Sequence, residues 1–215
     1  MSASRFHYEA ALAKMGLRQI AGVDEAGRGP LAGPVFAAAV IFPLDWILNE
    51  LPDALQKVND SKQLKASDRE RLFTELTSTA EIKYAITQVD AATIDKINIL
   101  EATHRAMNLA LAQLQPAPQH VLVDGLAVKS LSFPQTAIVK GDSLSYTIAA
   151  ASILAKVSRD RLMVLMDQQY PGYGFAGHKG YGTATHMAAI RNLGPCPIHR
   201  QSFAPCRTEQ PDLAL

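Results

Sequence analysis

Residues 20–23 form an apolar, β-rich stretch that runs into Asp24 and Glu25, passes through a segment holding Gly27, Gly29 and Gly33, and resumes as the apolar run 35–42. This stretch limits the possible folds more than any other. Gly27, Gly29 and Ala32 formally satisfy the glycine fingerprint of dinucleotide-binding folds, which requires a helix to open directly after the loop. Gly33 and Pro34 interrupt at that point, and the β-rich run that follows reads as a second strand. The prediction is two strands joined by a glycine loop, so the sheet begins antiparallel.

The loop also carries chemistry. An acidic pair at a strand end is often only a solvated turn, but two neighbouring carboxylates repel each other unless a cation lies between them. Gly27 and Gly29 remove the Cβ atoms on either side of Arg28, which allows its backbone N–H groups to approach a bulky anion closely. Metal on one side and phosphate on the other is the chemistry these residue types suit.

With 215 residues, 48% of them hydrophobic, the chain can bury one full core without staples. Cys196 and Cys206 match no zinc spacing and read as reduced thiols, so a cytoplasmic protein is expected. His7, Glu9 and Lys14 precede any long apolar stretch, unlike a secretory signal. The uncharged stretch around residues 29–44 is broken by prolines, so a soluble protein is expected. A net charge of +1 excludes a polycationic binder and leaves any nucleic-acid affinity to local clusters. Lys57, Lys62, Lys65, Arg69 and Arg71 form one cluster, and Lys156, Arg159 and Arg161 another; such runs are usually solvated faces.

Further along, residues 82–89 read as a third strand, and Ser67 with Glu70 as a capping box opening a helix to about residue 76. Residues 94–114 show helical spacing through Leu100, Met107 and Leu111, with His104 read as structural. After Pro116 and Pro118, a strand at 120–123 ends in Asp124, and one at 137–139 leads to Asp142. Residues 143–166 form an alanine-rich helix whose small face packs closely on the sheet. A Gly- and Tyr-rich loop at 170–182 precedes a last helix at 183–193, and residues 208–215 are expected to fray.

Asp24, Glu25, Asp124 and Asp142 thus come from separate segments, each at or just beyond a strand terminus. Four converging acids without nearby Cys or His select Mg²⁺ or Mn²⁺ over zinc. Paired ions of that kind support in-line phosphoryl displacement, so the implied reaction is phosphodiester hydrolysis.

At these residues the chain resembles the ribonuclease HII family, the type 2 ribonucleases H. The motifs are DEAGRGPLAGPV at 24–35, NDSKQL at 59–64, NILEATHRAM at 98–107, VDG at 123–125 and KGD at 140–142. They continue through IAAASILAKVSRDR at 148–161, HKGYGT at 178–183 and PIHRQSF at 197–203. The resemblance implies an α/β, RNase H-like fold with a mixed central sheet flanked by helices, plus a short helical C-terminal segment. It implies a catalytic domain over 18–170 and a substrate-contacting segment over 171–207.

It also places the metal-binding acids on Asp24, Glu25, Asp124 and Asp142, and contacts to the ribonucleotide 2′-OH and phosphates on Gly27, Arg28 and Gly29. Tyr181 matches a tyrosine that stacks at the scissile junction; Asp60, Ser61 and Lys62 fall on the substrate side. Residues 44–58, including Trp46, look longer than the family pattern and are expected to form a surface loop. The implied activity is endonucleolytic cleavage of RNA in RNA–DNA hybrids and incision 5′ of single ribonucleotides in duplex DNA, by a monomer, leaving 3′-hydroxyl and 5′-phosphate ends. The alternatives are a related metal nuclease acting on DNA and a non-catalytic hybrid-binding module.

Overall fold

The computed structural model describes residues 5–206. In chain order the elements are α1 His7–Lys14, β1 Ile20–Ala26, β2 Val35–Ile41, α2 Leu44–Leu48, α3 Ala66–Ser78, β3 Lys83–Val89 and α4 Ala91–Gln113. They continue with β4 His120–Asp124, β5 Gln135–Ile138, α5 Gly141–Leu144, α6 Tyr146–Gln169, α7 Phe175–His178 and α8 Ala184–Leu193. The five strands lie in the order β3-β2-β1-β4-β5. The β1–β2 and β2–β3 pairs are antiparallel, whereas β1–β4 and β4–β5 are parallel. The sheet is therefore mixed and flanked by helices, as an RNase H-like fold requires.

Alternation along the strands divides the core into two layers. Phe36, Ala38 and Val40 of β2 pack with Ala149, Ala150 and Ile153 of α6. Ala37, Ala39 and Ile41 pack on the other face with Ala106, Ala110 and Leu111 of α4. The predicted small-residue contact is present at Gly22, where an added Cβ would lie 2.3 Å from the Thr147 backbone carbon. The α6 N-terminus therefore rests directly on β1, beneath Asp24.

Several local expectations change. The Ser67–Glu70 capping box is absent: α3 starts at Ala66 after Lys65, which makes no side-chain cap bond, and Arg161 Nη2 draws the Glu70 carboxylate away to 2.5 Å. Asn98, at φ 66°, kinks α4 and caps its second half by accepting from the N–H groups of Leu100 and Glu101. The kink rotates Leu100 outward to 47% exposure, off the predicted apolar face, while Met107 and Leu111 stay buried. Residues 44–58 are not a plain surface loop: they hold α2 and a 3₁₀ turn at Asp53–Leu55, and Ile47, Leu51, Leu55 and Val58 join the α6-side core. The 143–166 helix divides into α5 and α6 at Ser145, whose hydroxyl caps α6 by accepting from Ile148 N–H. The 170–182 loop contains α7. Both cysteines are free and buried. No helix is long and apolar enough to cross a membrane among the described residues. The frayed end expected at 208–215 lies outside them.

Candidate active site

The parallel β1–β4 pair brings Asp24 and Asp124, the acids of two distant segments, to the same end of the sheet. Asp142 sits in the single turn of α5 rather than at a strand end, because the chain turns through Lys140, at φ 58°, before the helix starts. The two parts are tied directly: Gly141 N–H donates to Asp124 Oδ1 at 2.7 Å. Asp24, Asp124 and Asp142 each place a carboxylate oxygen within 4.8 Å of the others, the one such group among the described residues. Asp24 is 4% exposed and Asp142 5%.

Glu25 is not in that trio. Neighbouring strand residues face opposite sides of a sheet, so Asp24 lies on the α6 side and Glu25 on the α4 side. Glu25 lines a cleft of about 590 Å³ with Asp124, Leu100 and His104. It also meets Arg28 Nη1 at 3.3 Å. His104, expected to be structural, is a half-buried wall of this cleft.

The electrostatics match a site that lacks positive charge. Burial, then Glu25 and Asp124, hold the Asp24 carboxyl well above its usual range. Burial raises Glu25 despite Arg28, and burial with Asp124 and Asp60 raises Asp142. Burial pulls the Lys62 ammonium down, but Asp24, Asp142, Asp60 and Asp124 outweigh it and leave it raised. Lys62 Nζ lies 3.8 Å from Asp142 Oδ2 while remaining 77% exposed on its side chain. Asp60 Oδ1 accepts from Lys62 N–H, and the Ser61 hydroxyl meets that of Ser152 on α6 at 2.9 Å. Asp124 is half-buried, and all three donors of the trio are hard carboxylate oxygens, a set that fits Mg²⁺ or Mn²⁺.

Gly27, Arg28, Gly29, Ser61, Lys62, Ser152, Lys156 and Tyr181 gather around a second cleft of about 290 Å³ that Glu25 also reaches. Tyr181 is 44% exposed, and its ring lies 5.9 Å from the Arg159 guanidinium. Beyond it, a cleft of about 500 Å³ is lined by Arg69, Lys179 and the ion pairs Lys156–Asp160 and Arg161–Glu70.

Two arginines for which the sequence indicated no such role support the loop. Arg159, expected on a solvated face, is 1% exposed and donates to the carbonyls of Pro34, Ala32 and Lys179. Arg200 is fully buried and donates to those of Gly27, Arg28 and Gly33. Neither forms an ion pair among the described residues. Burial, then Arg159, pulls Arg200 down to about 9. Such buried cations remain charged only because carbonyl dipoles replace water.

The C-terminal segment that carries Arg200 is anchored by a histidine cluster. His186 Nε2 and His199 Nε2 lie 3.0 Å apart, and His199 Nδ1 lies 3.1 Å from Cys196 Sγ. Burial, then His186, pushes His199 down to about 4. Because its folded value is depressed, the stability it contributes is present above the unfolded value near 6.5 and is lost as pH falls toward 4. Metal-free protein is expected to lose as much as about 3 kcal/mol through this group between those pH values. Asp24, Glu25 and Asp142 have raised folded values and act in the opposite direction, so the check is the pH-dependent difference in urea stability between wild type and His199→Gln. A flat difference would remove His199 as the acid-sensitive group.

A five-stranded mixed sheet with acids gathered on β1, β4 and the next helical turn defines a hydrolase of the ribonuclease H class. A family model described as Ribonuclease HII matches residues 21–206. Ribonuclease HII of Geobacter metallireducens is 54% identical over 200 residues, covering 93% of this chain and 90% of that protein. The one from Ruminiclostridium cellulolyticum is 55% identical over 188 residues, covering 87% and 71%. Among solved structures, ribonuclease H2 from Pyrococcus horikoshii OT3 matches with TM-score 0.73 at 29% identity, covering 88% of this chain and 95% of that one. Bst-RNase HIII in complex with Mn²⁺ matches with TM-score 0.64 at 20% identity, covering 95% and 71%, a likeness of fold. The chain belongs to the ribonuclease HII family. It is a ribonuclease H that hydrolyses the RNA strand of RNA–DNA hybrids with the aid of divalent metal.

Proposed function

We propose that the protein also incises duplex DNA on the 5′ side of a single embedded ribonucleotide, using Asp24, Glu25, Asp124 and Asp142 to hold Mg²⁺ or Mn²⁺. The observation that carries the reading is the trio of carboxylates within 4.8 Å beside the cleft shared by the glycine loop and Tyr181. When bound, a pair of divalent cations supplies Lewis acidity at the attacking and leaving oxygens of an in-line displacement. In this reading Asp24, Asp124 and Asp142 form one side of that site, and Glu25 closes it from the α4 face.

Water is the nucleophile in this reading, and the P–O3′ bond breaks. The ends are therefore a 3′-hydroxyl and a 5′-phosphate, whereas attack by the 2′-OH would leave a cyclic phosphate. Arg159 and Arg200 hold the carbonyls of residues 27, 28, 33 and 34 inward, which supports a role for the loop N–H groups of Gly27, Arg28 and Gly29 at the ribose and phosphates. Tyr181 adds an aromatic face and a hydroxyl, with Asp60, Ser61 and Lys62 on the other wall. Residues 171–207 act as the substrate-contacting segment, the protein acts as a monomer in the cytoplasm, and its task is ribonucleotide removal from DNA.

The test is incubation with Mg²⁺ or Mn²⁺ and a DNA duplex holding one ribonucleotide, beside an all-DNA duplex, with mapping of both ends. Incision 5′ of the ribonucleotide alone supports the reading, and cleavage of the all-DNA duplex or a cyclic phosphate end defeats it.

Tyr181 sharpens this test. A site built to pair with a 2′-OH leaves polar groups unsatisfied when deoxyribose binds. Tyr181→Ala is expected to lose far more activity on the single ribonucleotide than on a long hybrid, where repeated riboses offer other registers. Tyr181→Phe keeps the stacking face and puts only about 0.5–1.5 kcal/mol of hydrogen bonding at stake. Equal losses on both substrates would assign Tyr181 to general binding.

A further inference from the structure

Asp142 rides on the four-residue turn of α5, with Lys140 in the left-handed region before it. A lone helical turn gains little from its own hydrogen bonds, so its position depends on what holds it from outside. Besides the Gly141 N–H bond to Asp124, the start of the described chain holds it. Arg5 Nη2 donates to the Asp142 carbonyl at 2.8 Å, Nε to that of Ser143 at 3.1 Å, and Nη1 to that of Val58 at 2.5 Å. Its own carbonyl accepts from Tyr146 N–H at 3.2 Å, and its guanidinium carbon lies 4.7 Å from the centre of the Tyr146 ring. One side chain thus joins the Asp142 turn to the segment that leads through Asp60 and Ser61 to Lys62.

Glu9, one helical turn further on, supports the other end of the same junction. It is fully buried, and Oε1 accepts from the hydroxyls of Ser145 and Thr147 and from Thr147 N–H, at 2.7–3.1 Å. Its Oε2 has no hydrogen-bond partner among the described residues. Burying a carboxylate with one oxygen unsatisfied is a costly way to anchor a helix, when apolar packing alone would do it. What the arrangement supplies is orientation of residues 142–147. Neither residue lies within the stretch 21–206 that the family model matches.

We propose that Arg5, braced by Glu9, is a positioning residue that sets Asp142 and Lys62 against Asp24 and Asp124. The proposal rests on the reading of Asp142 as a metal ligand.

Arg5→Ala and Arg5→Lys, made in the full chain, test it by steady-state kinetics on an RNA–DNA hybrid and by calorimetric titration with Mn²⁺ alone. For Arg5→Ala, kcat is expected to fall about tenfold or more, as a misplaced group away from the chemistry can cause, with KM changed less than about threefold. Mn²⁺ binding without substrate weakens severalfold, while melting curves show a folded protein at the assay temperature. Arg5→Lys recovers only part of the loss, because one ammonium cannot span three carbonyls. If Arg5→Ala fails to fold, Arg5→Lys decides: lower kcat and weaker Mn²⁺ binding in a folded protein support the proposal. Wild-type kcat and Mn²⁺ binding in the folded variants, or losses that only track the unfolded fraction, overturn it. Asp142→Asn separates the two levels. If that variant binds Mn²⁺ and cuts normally, the metal reading of Asp142 fails; if it loses both while the Arg5 variants do not, only the clamp fails.

Discussion

Asp24→Asn and Asp124→Asn are each expected to reduce hydrolysis of an RNA–DNA hybrid by about a thousandfold or more at saturating Mg²⁺, equivalent to about 4 kcal/mol of lost transition-state stabilisation. Both changes keep side-chain size, and the amide introduced by Asp124→Asn retains an oxygen for the Gly141 N–H that now bonds Asp124 Oδ1. Hybrid binding without metal is expected to persist or improve, since a negative charge facing phosphate is removed. Asp24→Asn is also expected to stabilise the metal-free protein. Burial, Glu25 and Asp124 raise the Asp24 carboxyl in the folded state, so the stability it contributes when protonated is lost as pH rises through that raised value. The variant avoids this loss, so its melting temperature in EDTA should exceed that of wild type by a few degrees at about pH 8 and by little in strong acid. Substantial residual activity, or a lower melting temperature in the alkaline buffer, would take Asp24 out of the metal site.

Gly27→Ala is the second large effect, and its cause is steric. Gly27 has φ +99°, and a Cβ there would lie 2.1 Å from Arg159 Nε and 2.5 Å from its Cδ. Arg159 would have to leave the carbonyls of Pro34, Ala32 and Lys179, exposing the cost of an uncompensated buried cation. The expected result is a destabilisation of about 2–4 kcal/mol with a loss of cleavage of about a hundredfold. Arg28→Ala removes an exposed side chain whose pair with Glu25 is worth only about 0–1 kcal/mol to stability. Gly29 differs from Gly27: the nearest atom to its added Cβ is Tyr181 Cε1 at an ordinary 3.8 Å. Gly29→Ala should therefore melt like wild type, with its defect confined to KM and kcat. Melting curves and kinetics of the three variants decide this, and a dead Arg28→Ala beside a normal Gly27→Ala would defeat the account of the loop.

Much of the architecture was legible because its signals are local. Gly33 and Pro34 forbid a helix after β1 whatever else the chain does, and the strands at residues 20, 35, 82 and 120 follow from side-chain alternation and apolar runs. The acids at 24, 124 and 142 could be gathered in advance because hard-metal chemistry requires that residue type and strand ends collect distant segments. Local signals failed at Glu70 and residues 44–58, where a tertiary partner was stronger, and at Asn98, whose own side chain caps a second helical segment. Glu70 is held by Arg161 and not by a helix cap, Asn98 kinks α4 and turns Leu100 to solvent, and residues 44–58 fold onto the core through Ile47, Leu51, Leu55 and Val58.

Residue identity at short spacing was enough to specify the strand–glycine loop–strand unit and the family pattern. The folded chain was needed to place Asp24 and Glu25 on opposite faces of the sheet, to seat Asp142 on a helical turn, and to bring Arg5, Arg159 and Arg200 onto the segments that frame the site. These arginines bond to backbone carbonyls as far as 173 positions away along the chain. Every residue carries a carbonyl, so such an acceptor leaves no mark in the sequence, and only the path of the folded backbone shows which ones a buried guanidinium meets.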